Sequence, residues 1–375
     1  MAEAEIAPAQ PPRLLQGDYA PWFEAPALSG SPTYKFDTAA GRHMLLLFLG
    51  SARFEASKAA LDVVARNRAL FDDVDACFFG ITVDPADSAE GRIAQALPGI
   101  RFFLDYERKV SSLYGAANGD RYRPSWLILS PDLRVAAQYP IDRGEQAAEH
   151  LRALIAAIPG DRWAPVLTVP DVLEPGLCRK LIALYEADGG KDSGFMREVD
   201  GKTVEILDHS HKQRRDCPIA DGELQRALNA RVRRRLNPAL KRAFQFESTR
   251  IERHIVACYS AGEGHFRAHR DNTTKGTAHR KFAVTINLNS DYDGGDLRFP
   301  EFGGRTYRAP VGGAVVFSCS LLHEATPVTR GRRFAFLPFL YDEDGAQIRE
   351  ANNPYLGEGL SPYRREGPAA AETEA

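Results

Sequence analysis

The sequence predicts two domains in series: an α/β sheet domain, then a domain of short strands closed into a sandwich or barrel with helices at its side. Three observations carry this. The chain has 375 residues, a length that favours two hydrophobic cores over one. A break stands near "AAIPGDRWAPVLTVP", where a helical pattern stops at Pro159-Gly160 and a strand is expected from about Val166. The hydrophobic period also changes across that break: strands alternate with helices before it, and short strands separated by Gly, Asp and Pro follow it.

Before the break, "HMLLLFLG" reads as a buried strand and "EASKAALDVVARNRALF" has helical periodicity. "ACFFGITVD" is a second buried strand, and "SAEGRIAQAL" is expected to be helical. "WLILSPDLRVAAQY" reads as a hairpin turning at Pro131-Asp132, and "GEQAAEHLRALIAAI" closes as an amphipathic helix. That order implies a sheet with helices on both faces. After the break come helices at "EPGLCRKLIALYEA" and "GELQRALNARVRRRL", the latter interrupted at Asn237-Pro238. The strands "IERHIVACYS", "FAVTINLNS", "GGDLRFP", "GAVVFSCS" and "RRFAFLPFLY" follow. The Ala/Pro-rich start and the final "REGPAAAETEA" have the composition of disordered ends. No internal repeat is visible.

Composition excludes several classes. A formal net charge of −2 gives no field for nucleic acid or membrane. Cys77, Cys178, Cys217, Cys258 and Cys319 are scattered without C-x-x-C spacing, against a disulfide framework or a cysteine zinc site and in keeping with a reducing compartment. The start lacks a basic region followed by an apolar stretch, so no signal peptide is expected. "MLLLFLG" is too short to span a bilayer. A cytoplasmic location is expected.

The chemistry concentrates in "HFRAHRDN", residues 265–272. His265 and His269 stand four apart, as a helical zinc pair would, but no Glu follows His265 and the flanks read as strand and turn. His269-x-Asp271 instead places two ligands on one face of an extended strand. A third ligand of the same chemistry is offered by His323, after the buried strand "GAVVFSCS". Two imidazoles and a carboxylate on one side of a metal form the facial arrangement of non-heme Fe(II) oxygenases.

With its downstream context, this region resembles a 2-oxoglutarate/Fe(II) dioxygenase of the prolyl 4-hydroxylase type over residues about 165–345. The matching pieces are Tyr259, Gly262, His269, Asp271, "GGDLRFP", His323, Pro327-Val328 and Arg333, preceded by "LTVPDVLEPGLCRKLIALYE". The resemblance implies a double-stranded β-helix (jelly-roll) core with flanking helices. It implies His269, Asp271 and His323 as iron ligands and as the catalytic group. It implies Fe(II) and O2, 2-oxoglutarate as cosubstrate, and ascorbate (vitamin C) as reductant. Arg333, ten residues after His323, can hold the cosubstrate's far carboxylate through two parallel charge-assisted bonds. Arg330 and Arg332 are its competitors; strand alternation turns Arg332 away, and Arg330 falls in the turn before Gly331. Many members have Lys where Arg333 stands. Tyr259 and Asn287 are further candidates for the cosubstrate. The basic run "RVRRRLNPALKR" reads as a solvated helix face, with contact to an acidic substrate as the minority reading.

Residues about 15–158 resemble the peroxiredoxin branch of the thioredoxin fold. The pieces are "GDYAPWFEAPAL", "LLLFLGSARFEASKAAL", "FFGITVDPADS", "FFLDYERKVSSLYGA" and "RPSWLILSPD". Members carry a peroxidatic Cys at the start of the helix after the first core strand. This chain has no Cys there, and Ser57 occupies the place by rough alignment. A hydroxyl forms neither the thiolate nor the sulfenic acid that the cycle needs. Cys77 is expected to be a buried core residue. Pro124 matches the proline before the hairpin strand, often cis in the family.

The reading is therefore an α/β thioredoxin-like domain (15–158) without its chemistry, an Fe(II)/2-oxoglutarate dioxygenase domain (165–345) and a C-terminal tail (346–375). A protein side chain, a free amino acid or a small metabolite all fit as substrate, and a homodimer is compatible with the sequence. The alternatives are a non-catalytic metal- or ligand-binding protein and a thiol peroxidase, the latter opposed by the absent Cys.

Overall fold

The computed structural model describes residues 14–157 and 162–365. The expected disordered start, the helix stop at Pro159-Gly160 and tail residues 366–375 lie outside them. The described residues fall into two compact units: the chain up to Arg162 with Pro300–Gly303, and Trp163–Phe299 with Gly304 onward.

The first unit is built on a five-stranded sheet. Its first long strand, His43–Gly50, lies at the centre. Ala76–Thr82 and then Ile100–Leu104 add in parallel on one side, and the antiparallel hairpin Ser125–Leu129/Val135–Pro140 adds on the other. This is the thioredoxin-like arrangement. Alternation along the central strand sends Leu45, Leu47 and Leu49 into one core, where Ala60 and Val64 of the helix Glu55–Arg66 meet Ala147 and Leu151 of the helix Gly144–Ala156. The two long helices thus share a face. The opposite face is covered by an aromatic cluster, with Phe36 stacked on Phe23 and packed edge-on to Phe79 and Phe103. Tyr114, which ends the short helix Lys109–Leu113, packs on Phe36 and on Phe48 of the central strand, so helical segments stand on both faces as expected.

A correction concerns "SAEGRIAQAL". The helix covers only Pro85–Ala89. Gly91 turns left-handed at φ +67°, and the backbone N–H of Arg92 folds back onto the Asp87 carbonyl, so the turn closes before a second one can form. Leu97-Pro98 is the cis peptide among the described residues, not the bond before Pro124.

The second unit is a double-stranded β-helix flanked by helices. The larger sheet runs Leu167–Val169, Ala314–Ser318, Phe282–Asn287, Arg332–Phe336, Ile255–Ser260, Arg215–Pro218, Lys191–Asp192. The smaller runs Lys212–Gln213, His265–His269, His323–Ala325, Leu297–Arg298, Thr306–Tyr307. Period-2 alternation splits the larger sheet's residues. Val256, Cys258, Phe334 and Phe336 pack outward among Leu181, Leu224 and Leu228 of the helices Pro175–Asp188 and Gly222–Arg231. Ala257, Tyr259 and Ala335 face inward with Phe266 and Ala325 of the smaller sheet.

The basic helix is not interrupted at Asn237-Pro238. It continues through a π turn, Val232–Leu236, into Asn237–Phe244; the widened turn lies directly before Pro238, where a regular α-helical ladder would meet the proline ring and its missing N–H. Val232, Leu236 and Leu240 are buried, and Arg231 and Arg235 pair with Glu174 at 3.2 and 2.5 Å. Residues 346–355, counted above with the tail, lie in the helix Glu343–Ala351 and the turn Asn353–Tyr355.

Candidate functional site

The inner space of the jelly roll is built by strand register. On the smaller sheet His269, the last residue of His265–His269, stands opposite His323, the first of His323–Ala325. On the larger sheet Tyr259 stands opposite Arg333. Asp271 does not continue the strand, as the spacing suggested. It sits in the turn that follows, where its N–H donates to the Cys319 carbonyl at 3.0 Å. The turn still delivers the carboxylate between the two rings. His269 Nε2 lies 3.6 Å from Asp271 Oδ1, and His323 Nε2 lies 3.3 Å from Asp271 Oδ2. One donor atom from each of the three residues lies within 4.8 Å of the others.

Hydrogen bonds fix what those atoms present. His269 Nδ1 is 2.7 Å from the Arg267 carbonyl, and His323 Nδ1 is 3.0 Å from the Leu321 carbonyl. A carbonyl only accepts, so each Nδ1 carries the hydrogen and each Nε2 is the atom turned toward Asp271, where a neutral ring offers its lone pair. Burial drives the His269 imidazolium down to about 4, and the neighbouring His323 adds to this. Burial pushes the Asp271 carboxyl up, but the His323 and His269 rings and Arg280 together hold it well below the usual carboxylate range. Two imidazole Nε2 atoms and a carboxylate therefore converge on one point. That donor set fits a divalent transition metal. Phe266 stacks on His269 at 3.4 Å between centroids, and Phe317 packs on His323 at 4.5 Å, which walls the ligands in apolar surface.

Arg333 lines the same cavity. It is 3% exposed, donates from Nη2 to Thr285 Oγ1 at 3.2 Å, and its buried Nε has no partner. No carboxylate among the described residues pairs with it. A buried guanidinium in that state is poised for an incoming anion. Arg332 points outward onto Glu186 at 2.6 Å, and Arg330 pairs with Asp293 at 2.6 Å. Tyr259 lies beneath the Arg333 guanidinium, 5.3 Å from ring centroid to Cζ. Asn287 is not brought into the group: its amide donates to the Ala309 carbonyl at 2.7 Å, and it does not line the cavity. His265 bonds to the Glu263 carbonyl and His279 to Glu252, so both stand aside.

Sequence reasoning missed Thr285, Arg214 and Arg253, all of which line the cavity. Arg214 is clamped by Asp216 through two bonds of 2.7 and 2.6 Å. Its signal was the R-x-D spacing, which puts both side chains on one face of a strand.

In the first unit, Ser57 is 1% exposed and its hydroxyl donates inward to the Leu49 carbonyl at 2.8 Å. Cys77 is fully buried, and burial pushes its thiol up to about 12. All five cysteines are free and buried. No helix among the described residues is long and apolar enough to cross a membrane.

A jelly roll with two histidines and a carboxylate converging on one point defines a metal-dependent oxygenase architecture. The family described as the 2OG-Fe(II) oxygenase superfamily matches residues 254–341. A PKHD-type hydroxylase of Paracoccus denitrificans (strain Pd 1222) is 30% identical over 184 residues, covering 45% of this chain and 75% of that protein. Solved structures similar to parts of the chain include a Pseudomonas putida prolyl-4-hydroxylase (20% identity, TM-score 0.36, 47% of this chain and 92% of that one). Mycobacterium tuberculosis AhpC is another (18% identity, TM-score 0.33, 39% and 95%). The chain belongs to the 2OG-Fe(II) oxygenase superfamily, and it is an oxygenase of the hydroxylase kind.

Proposed function

We propose that the chain is an Fe(II)- and 2-oxoglutarate-dependent hydroxylase in which His269, Asp271 and His323 hold the metal and Arg333 anchors the cosubstrate. The observation that carries this is the convergence of two Nε2 lone pairs and a carboxylate beside a buried, unpaired guanidinium. When bound, ferrous iron would supply the activation of O2 that couples decarboxylation of 2-oxoglutarate to succinate with hydroxylation of the substrate. The protein's own contribution is positional. The Arg267 and Leu321 carbonyls fix the two rings, Thr285 steadies Arg333, and the Phe266 and Phe317 rings keep bulk water from the ligands. Ascorbate fits as the reductant that returns the metal to the ferrous state.

Succinate release from 2-oxoglutarate, dependent on Fe(II), is the test. A chain that binds Mn(II) but releases no succinate would instead be the non-catalytic binding protein.

A further inference from the structure

One cation in the cavity is left over once this reading is granted. Arg253 lies between the strands Arg250–Glu252 and Ile255–Ser260, in the left-handed region at φ +69°. That backbone is uncommon for a residue with a side chain and persists where the surroundings dictate it, often at binding sites. The Arg253 guanidinium lies over the Phe339 ring, with Cζ 4.5 Å from its centroid. Nε and Nη2 both donate to the Leu337 carbonyl, at 3.2 and 3.1 Å. The Nη1 group makes no hydrogen bond within the described residues, and no carboxylate there lies within ion-pair distance of the side chain. Arg253 lines the cavity with the metal-ligand residues and Arg333.

The other charges are accounted for. Asp216 neutralises Arg214. Glu252, next to Arg253 in sequence, is turned away onto His279 and Arg280 at 2.6 and 2.7 Å. With iron and 2-oxoglutarate in place, the metal's two positive charges and Arg333 balance Asp271 and the cosubstrate's two carboxylates. Arg253 then leaves the cavity one negative charge short. A desolvated guanidinium with a free donor edge recognises a planar anion best.

We infer that the substrate of this site carries a carboxylate, bound by Arg253, so that the enzyme acts on an acidic amino acid, peptide or metabolite. The inference rests on the reading of the site as an iron and 2-oxoglutarate centre.

The test is a calorimetric titration of the full chain, loaded anaerobically with Mn(II) and saturating 2-oxoglutarate. The probes are N-acetylated amino acids and short peptides, each as free carboxylate and as primary amide. Expected is binding of carboxylates at least about tenfold tighter than that of their amides, a preference lost in Arg253→Gln and partly kept in Arg253→Lys. Three results would overturn the inference: no probe binds the wild type, the preference survives Arg253→Gln, or that variant loses 2-oxoglutarate affinity as far as Arg333→Ala does. Failure of the wild type to bind 2-oxoglutarate in a Mn(II)-dependent way would strike the underlying reading instead, and is seen in the loading step before any probe is added.

Discussion

The two units treat a polar side chain beside a core strand in opposite ways, and only the second turns its reactive atoms toward open space. In the first, the helix after the central strand begins beside Ser57, whose hydroxyl is spent on the Leu49 carbonyl, and the unit's single sulfur nucleophile, Cys77, is sealed in the sheet. In the second, the backbone does the opposite. Carbonyls of Arg267 and Leu321 take up the far nitrogens of two histidines and so leave the near ones free. A main-chain carbonyl can silence a side chain or prepare it, depending on which atom it engages.

The largest expected effect lies at the metal ligands. His323→Ala should abolish Fe(II)-dependent succinate release and Mn(II) binding while leaving the circular dichroism spectrum in place; wild-type affinity in that variant would break the contrast between the units. Next is the cosubstrate anchor. Removing one partner of a desolvated charge pair costs about 3–5 kcal/mol, a factor above roughly a hundred in affinity. Arg333→Ala should raise the 2-oxoglutarate requirement by that order and Arg332→Ala should barely change it, since its guanidinium is outside on Glu186. The reverse ranking in a succinate assay would mean that the inner face of Arg332–Phe336 has been misassigned.

For the first unit the expected result is inactivity. The full chain should not turn over hydrogen peroxide with a thiol reductant, and Cys77 should resist thiol reagents until the protein is unfolded, because burial holds its thiol near 12. Peroxide turnover that disappears in Cys77→Ser would make both units chemically competent.

The smallest effect concerns Lys212, buried behind Phe266 with its Nζ 5.1 Å from that ring and bonded to Ser193 Oγ at 2.7 Å. Burial, aided by Arg214, pulls its ammonium down to about 6. Above that pH the folded protein has released a proton that the unfolded chain keeps until the ordinary lysine range. Stability should therefore rise with pH from about 6 toward 10, by about 1.4 kcal/mol per pH unit at most. Lys212→Met should remove that slope, as measured by urea melts at pH 6.5 and 9.

The sequence made some of this legible because alternation is local. Period 2 was enough to send Arg333 inward and Arg332 outward, and to read the hairpin after Pro124. It misplaced Asp271 because a strand's end is set by pairing with distant residues, here the bond to the Cys319 carbonyl. It overextended the helix after Pro85 because the left-handed turn at Gly91 costs a glycine nothing and leaves no hydrophobic signature. Arg253 escaped notice for the same reason in reverse: its left-handed backbone is imposed by packing that no window of neighbouring residues contains. Asn287 shares the parity of Thr285, but its amide is taken by the Ala309 carbonyl.

Each histidine of the triad is held by a carbonyl only two residues earlier in its own chain. Such a bond forms as soon as its strand does and asks nothing of a ligand. The two rings are thus aimed before any ion arrives, and the entropy of orienting them is lost during folding rather than on capture. Capture of a metal by these rings would then cost little further ordering of the chain.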